Sequence, residues 1–94
     1  MFTLEPTPKF VRSLKKLLKT RAELKETVDD VLVQLAQDPR APELRSHKVI
    51  DVRGRKAFSS RVTGDLRIIW RYLENDAIKL EDVGGHSGKD KVYR

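Results

Sequence analysis

Apolar residues recur at helical spacing in the first third of the chain. Phe10, Leu14 and Leu17 follow one another every three or four residues, while lysines and arginines take the other positions. This pattern predicts an amphipathic helix. Thr7 can cap its start, and Pro8 suits the first helical position, where a missing N–H costs nothing.

A second apolar stripe predicts a second helix, beginning at about Arg21. Asp38-Pro39 should end it, because the residue before a proline is pushed out of helical geometry. Five residues form the stripe: Leu24, Val28, Val31, Leu32 and Leu35. Such stripes face a hydrophobic core, so we assign them no chemistry.

From Ala57 the side chains alternate with a period of two, and Leu66–Leu73 is a near-continuous apolar run; both patterns predict strands. Strands are expected at residues 2–5, 57–63, 66–73 and 77–83, with a last short one at 91–93. Residues 40–55 follow Pro39 and contain Pro42 and Gly54, so they should form a loop with a short extended piece at 48–52. Gly64-Asp65 is predicted to be a two-residue hairpin turn with glycine first, and residues 74–76 the next turn.

These elements predict an α+β fold of order β-α-α-β-β-β, with a possible last short strand. Its expected form is an antiparallel sheet with both helices packed on one face. A length of 94 residues suits one small core and leaves no room for a second. Residues 1–94 are therefore expected to form one domain.

Composition narrows the chemistry that the chain can carry. It has no cysteine, which excludes disulfides, thiolate zinc sites and a cysteine nucleophile. Its two histidines lack a cluster of carboxylates around them, so neither a metal site nor a cofactor is expected. The sequence shows no membrane-length apolar run and no leader at residues 1–5. We therefore expect a cytoplasmic protein without a membrane partner.

The positive charge is concentrated in the middle of the chain. Between Arg45 and Arg71 there are eight lysines or arginines against two acids, Asp51 and Asp65, and this segment accounts for the whole net charge of +6. A concentrated basic patch favours a polyanionic partner, either nucleic acid or an acidic protein. The alternative is a charged surface that only aids solubility.

The order of motifs in the second half resembles small bacterial toxins of the RelE/ParE superfamily, most closely the RelE and YafQ ribosome-dependent mRNA endonucleases. The motifs are a basic strand ending at Arg61, the Gly64-Asp65 turn, the apolar strand 66–70, and Val83-Gly84-Gly85-His86 leading to Val92-Tyr93. The resemblance implies a RelE-like fold. It also implies a type II toxin that is restrained by a cognate antitoxin and acts on mRNA at the ribosome, in contact with 16S rRNA.

An endoribonuclease without a metal can use the RNA's own 2′-hydroxyl as the nucleophile. It then needs a base for that proton, a cation for the charge on the phosphate, and an acid for the departing 5′-oxygen. The resemblance places Arg61 where related toxins brace the scissile phosphate, a task suited to a planar charged fork. The alternative is a surface arginine paired with Asp65 or Glu81.

Two histidines and a tyrosine complete the predicted site. His86 follows Gly84-Gly85, where YafQ-like members place a catalytic histidine, and His47 matches an upstream histidine of the same proteins. Tyr93 lies where related toxins stack an aromatic ring on the nucleotide, although seven positions separate it from His86, more than in YafQ-like members. The alternative for each histidine is an ordinary surface residue.

The remaining assignments are weaker in kind. Asp65 corresponds to an acid that YafQ-like proteins use, although an aspartate in a hairpin turn is mostly structural. Four cations are expected to contact the RNA backbone: Lys48, Arg53, Arg55 and Lys56. Arg67 is expected to support the sheet, and Trp70 to lie in the core.

Two other functions fit the same fold. One is a ParE-like inhibitor of DNA gyrase, and the other is a catalytically inactive RNA- or protein-binding member. His86 and Tyr93 favour the nuclease over both.

Overall fold

The computed structural model describes residues 1–85 of the chain. Along them lie β1 (Thr3–Pro6), α1 (Pro8–Thr20), α2 (Lys25–Gln37), β2 (His47–Ile50), β3 (Lys56–Arg61), β4 (Leu66–Leu73) and β5 (Ala77–Gly85). Single 3-10 turns at Ala22–Leu24 and Pro42–Leu44 join the helices and lead into β2. The predicted α+β class and the two helices are confirmed. The predicted strand at 91–93 lies outside the described residues.

The five strands form one sheet of order β1-β5-β4-β3-β2. Neighbours from β2 to β5 are antiparallel, whereas β1 runs parallel to β5. The predicted antiparallel sheet is confirmed for β2 to β5, and β1 adds a parallel strand at its edge. The helical pair intervenes between β1 and the later strands, and a parallel neighbour requires such a crossover.

The start of α1 is tied to β5 through the predicted cap. The Thr7 hydroxyl accepts the Phe10 backbone N–H at 3.1 Å and donates to the Leu80 carbonyl at 2.9 Å. Pro8 occupies the first turn, as expected. One side chain thus both begins the helix and holds it against the sheet.

The core lies between the helices and one face of the sheet. Ile68 and Trp70 of β4 are fully buried there together with Leu35 of α2. The Phe58 ring stacks on Trp70 with 4.7 Å between ring centroids. The prediction that Trp70 is a core residue is confirmed. We call this side of the sheet the helix face.

Of the two predicted turns between strands, one differs from prediction and one agrees with it. The turn before β4 is wider than the predicted Gly64-Asp65 pair, because the Thr63 hydroxyl closes it by accepting the backbone N–H of Leu66 at 3.1 Å. Gly64 is not among the positive-φ glycines of residues 1–85, so the glycine-first turn is wrong. The predicted turn at 74–76 is confirmed, with Asn75 at φ 60° and the next residue at 55°.

Four strands have bounds that differ from the predicted ones. β1 spans Thr3–Pro6 instead of 2–5, and β3 spans Lys56–Arg61 instead of 57–63. The extended piece predicted at 48–52 is the edge strand β2, which begins and ends earlier. β5 continues two residues beyond the predicted end at Val83, because Gly84 and Gly85 pair with Arg67 and Leu66 of β4. Among the described residues, no helix is both long and apolar enough to cross a membrane.

Candidate active site

The side of the sheet away from the helices brings together several predicted site residues, and we call it the site face. Side chains alternate between the two faces along a strand, and Ser60 of β3 lies on the helix face with its partner Ile68. Ser59 and Arg61 therefore lie on the site face. Strand pairing places His47 opposite Ser59 and Arg67 opposite Arg61.

Arg67 is the centre of this cluster. Its Nε donates to the Ser59 hydroxyl at 2.8 Å, and its Nη2 donates to the Arg45 carbonyl at 3.1 Å. The same Nη2 lies 3.2 Å from Nδ1 of His47. These contacts hold the plane of the guanidinium, so that its charge is oriented in advance of any ligand. The expectation that Arg67 merely supports the sheet missed this arrangement.

The two neutral tautomers of His47 pair its Nδ1 with different neighbours. Nδ1 lies 3.2 Å from the Arg45 carbonyl and also 3.2 Å from Nη2 of Arg67. With the proton on Nδ1, the ring donates to that carbonyl and Nε2 becomes the basic nitrogen. With the proton on Nε2, Nδ1 accepts from Arg67 instead. The Arg45 carbonyl favours the first tautomer, in which Nε2 can take up a proton, whereas Nη2 of Arg67, which can only donate, favours the second.

Arg45 has a left-handed backbone, with φ 48° and ψ 45°. This conformation is uncommon for a residue other than glycine, asparagine or aspartate and costs of order 1 kcal/mol. It turns the chain from the Pro42–Leu44 helical turn into β2 and aims the Arg45 carbonyl at Arg67 and His47. Backbone strain of this kind recurs at functional sites.

Arg61 and Arg67 lie directly opposite each other on β3 and β4. Like charges in this relation repel, and a bound anion would remove the repulsion. The Arg61 guanidinium extends beside Gly64, and Arg61 forms no ion pair with any residue of the range 1–85. The alternative pairing with Glu81 is wrong, because Glu81 pairs with other cations.

Arg55 is not available to RNA as predicted. Its Nε donates to Asp51 at 2.9 Å and its Nη2 to Glu81 at 2.6 Å, and both carboxylates are buried. Arg55 therefore ties the β2–β3 loop to β5 as a structural clamp. The prediction that it contacts the RNA backbone is corrected, since two buried carboxylates already occupy its donors.

Asp51 is held in its charged form by this clamp. Burial alone would raise the pKa of its carboxyl group, but hydrogen bonds from the backbone N–H groups of Arg55 and Arg53 and from the Arg55 guanidinium outweigh it. The net result is a pKa below the ordinary value of 3.8. The clamp is therefore strongest when Asp51 is ionised.

The other predicted RNA contacts are divided between surfaces. Lys48 pairs with Phe58, whose ring packs in the core, so Lys48 lies on the helix face. Lys56 lies two residues before Phe58 on β3 and shares that face. Arg53 is exposed at the tip of the β2–β3 loop. The structure thus does not gather these cations around His47 and Arg67.

Asp65 is exposed in the turn before β4, where its backbone N–H donates to the Thr63 hydroxyl at 3.3 Å. This turn joins the end of β3 to the start of β4, so Asp65 is close in sequence to both Arg61 and Arg67. A role of Asp65 in the chemistry stays a prediction. Within residues 1–85, no group of three or more His, Cys, Asp or Glu side chains is placed to hold a metal ion.

The sequence matches no protein-family model and no curated protein, but it matches solved structures along almost its whole length. A metal-bound toxin from Helicobacter pylori is 26% identical, with a TM-score of 0.73 over 92% of this chain and 96% of the other. YafQ from E. coli is 16% identical, with a TM-score of 0.70 over 90% and 93%. A YoeB/ParE toxin from Agrobacterium tumefaciens is 16% identical, with 0.71 over 92% and 100%.

The chain has a RelE/ParE-type toxin fold. The resemblance that the order of motifs suggested is confirmed at the level of the fold. In this RelE/ParE-type sheet, the cluster of Arg67, His47 and Ser59 lies on the face that the helices leave uncovered. Further similar structures include the E. coli DinJ–YafQ complex, in which the toxin chain is 16% identical with a TM-score of 0.71 over 92% of this chain and 94% of that chain.

His86 and Tyr93 lie outside the described residues, so their catalytic roles stay predictions. The last described pairs of β5 join Gly84 to Arg67 and Gly85 to Leu66. In the RelE/ParE-type fold of this chain, the residue before His86 is thus a strand neighbour of the site cluster.

Arg67 and Ser59 are the residues that sequence reasoning missed. The signal was present in the sequence: Trp70 was predicted to lie in the core, and Arg67, three positions earlier on the same strand, must then face the opposite side. Treating Leu66–Leu73 as a near-continuous apolar run obscured the alternation of its side chains between the two faces of the sheet. In this RelE/ParE-type fold, the side chains of β4 alternate between the two faces of the sheet. Arg67 therefore lies on the site face, although its neighbours in the sequence are apolar.

Proposed function

We propose that this chain is the toxin of a toxin–antitoxin pair and that it cleaves mRNA on the ribosome in the cytoplasm. The observation that carries the proposal is the contact between Arg67 and His47 on the site face, 3.2 Å apart. It joins a fixed cation to an imidazole, the two groups that a metal-independent ribonuclease needs most. The fold shared with YafQ, which has been solved with DinJ, supports an antitoxin as the partner.

The two opposed arginines are the proposed phosphate site. A scissile phosphate between Arg61 and Arg67 would cancel their repulsion across the strands and accept hydrogen bonds from both planar forks. Charge on the phosphate grows as the 2′-oxygen attacks, so a cation held beforehand stabilises the transition state more than the ground state. Arg67 is the better held of the two, because Ser59 and Arg45 orient it.

His47 is the proposed general base. In the tautomer that donates Nδ1–H to Arg45, Nε2 takes the proton of the 2′-hydroxyl while the 2′-oxygen bonds to phosphorus. The bond from phosphorus to the 5′-oxygen breaks, and that oxygen takes up a proton from a general acid. We assign the acid to His86, following the resemblance. The products are a 2′,3′-cyclic phosphate and a 5′-hydroxyl.

The proposal is tested by inducing the chain in cells and in a reconstituted system. Growth should stop, and primer extension should show cuts within the reading frame of messages. Purified ribosomes carrying a message should support cleavage, whereas the same naked RNA should be cut far more slowly, because the ribosome positions the substrate. Equal cutting of naked RNA would contradict ribosome dependence. Arrest with intact messages and lost supercoiling would favour gyrase instead.

Substitution of His47 by glutamine should lower the rate of cleavage by about 10²–10⁴-fold, the range for a lost proton-transfer group. Glutamine keeps a polar side chain at the exposed end of β2 and should leave the fold intact. The control is Lys19→Gln at an exposed position of α1, which should cleave at nearly the wild-type rate. Single-turnover rates on programmed ribosomes provide the measurement. A folded His47→Gln protein with the wild-type rate would remove His47 from the mechanism.

A further inference from the structure

A hydrogen-bonded chain of side chains runs behind the candidate site, on the helix face. Trp70 Nε1 donates to the Ser60 hydroxyl at 2.7 Å, Ser60 lies 2.6 Å from the Ser46 hydroxyl, and Ser46 donates to the Pro39 carbonyl at 2.9 Å. Trp70 and Ser60 are fully buried. We call these four residues the Ser60 relay.

The direction of every hydrogen bond in the Ser60 relay is fixed by chemistry. The indole N–H of Trp70 can only donate, and the carbonyl of Pro39 can only accept. The hydroxyl proton of Ser46 is used on that carbonyl, so Ser60 must donate to Ser46. The hydroxyls of Ser46 and Ser60 therefore each donate once and accept once, which fixes the orientation of both O–H bonds. Losing one member would leave buried polar groups unpaired.

The relay joins the two backbone segments that supply the partners of Arg67. Ser60 adjoins Ser59, which accepts from Nε of Arg67, and Ser46 lies between Arg45 and His47, which both contact Nη2. The link between Ser60 and Ser46 thus sets the separation of β3 from the turn that begins β2. That turn also contains the left-handed Arg45, a conformation that persists only where surrounding contacts hold it.

From this geometry we infer that Ser60 is a positioning residue of the site. It touches neither Arg67 nor His47 but fixes, through Ser46, where the Arg45 carbonyl and the His47 ring stand relative to the guanidinium. The effect of Ser60 on cleavage rests on the proposed function. Its effect on the geometry of Arg67 and His47 is independent of that function.

The decisive variant is Ser60→Ala, compared with Trp70→Phe. Ser60→Ala removes two hydrogen bonds, from Trp70 and to Ser46. Trp70→Phe removes only the first of these and keeps the link from Ser60 through Ser46 to Pro39. In Ser60→Ala, solvent exchange of the Arg67 Nε–H should accelerate by at least about tenfold, since its Ser59 and Arg45 partners lose their fixed spacing. The ¹⁵N shifts of the His47 ring should move toward an average of the two tautomers. In Trp70→Phe, the exchange rate of the Arg67 Nε–H and the ¹⁵N shifts of the His47 ring should keep their wild-type values.

Cleavage provides a separate reading. The kcat of Ser60→Ala on ribosome-bound message should fall by about 10–100-fold with KM little changed, because a displacement near 1 Å is costly for catalysis. Per folded molecule, Trp70→Phe should stay within about twofold of wild type. If Ser60→Ala does not fold, Ser46→Ala at a half-buried position interrupts the same link, and the same results are expected of it.

The inference is overturned if the folded variant keeps the wild-type exchange of Arg67 and the wild-type His47 shifts, or if Trp70→Phe disturbs both equally. The second result would make the relay a stability element only. A wild-type protein that cleaves no message would refute the proposed function and would leave the two NMR measurements to decide on Ser60.

Discussion

Replacing Arg67 with alanine should lower the rate of ribosome-dependent cleavage by about 10²–10³-fold, the loss expected when one preorganised donor to a developing charge is removed. Toxicity on induction should disappear with it. Arg67→Lys should recover part of the rate, because lysine keeps the charge but loses the planar fork that Ser59 and Arg45 orient. Single-turnover cleavage and growth after induction measure the two effects. Arg12→Ala, at an exposed position of α1, is the control for loss of a surface cation.

Arg61→Ala, measured beside it, ranks the two arginines. The structure gives Arg67 more contacts that fix its orientation, so we expect the loss at Arg61 to be smaller. A larger loss at Arg61 would restore the assignment that the family resemblance makes. Circular dichroism and thermal unfolding of both variants separate loss of activity from loss of fold. A folded, fully active Arg67→Ala protein would contradict the proposed phosphate site.

Replacing Arg55 with alanine should destabilise the fold by about 3 kcal/mol, because it leaves Asp51 and Glu81 buried without their common partner. Glu81 keeps Lys79 at 3.6 Å and Arg71 at 3.8 Å, which limits the loss. The free energy of unfolding in urea is the measurement. Arg53→Ala is the matched control in the same loop, since only the backbone N–H of Arg53 contacts Asp51. Equal stability of the two variants would show that the clamp contributes nothing.

The same clamp should be sensitive to acid. The pKa of Asp51 is lower in the folded protein than its ordinary value of 3.8, so its contribution to stability is present above that value. The contribution is lost as the pH falls through the lower, folded pKa. Urea unfolding between pH 6 and pH 2.5, within about the range that carboxyl titration covers, should show a steeper loss for wild type than for Asp51→Asn. Parallel curves would contradict this linkage.

Much of the fold could be predicted because local signals agreed with one another. Thr7 with Pro8 marked the start of α1, Asp38 with Pro39 marked the end of α2, and alternation set the faces of β3. The parallel edge was not predictable in this way. The sequence around residues 3–6 does not indicate which strand they pair with. That pairing depends on where the crossover connection places the later strands.

The candidate site was predicted less completely, for a physical reason. Residue type indicated His47 and Arg61, and alternation placed Arg61 correctly on its face. However, the role of Arg67 depends on a hydroxyl from β3 and on the carbonyl of the left-handed Arg45, neither of which a one-dimensional pattern reveals. Arg55 was misassigned for the converse reason. A basic residue in a basic segment suggests RNA, but its buried acidic partner, Glu81, is 26 residues away.

The hydrogen bond from Thr7 to Leu80 spans 73 residues of sequence, and β1 pairs with the same stretch of β5. Contacts between such distant parts of a chain must await a costly loop closure, which slows folding. On a ribosome, β1 and α1 emerge before β5, so β1 has no partner strand until β5 has been made. A protein proposed to attack translation would thus complete its own sheet only after the last of these five strands has been translated.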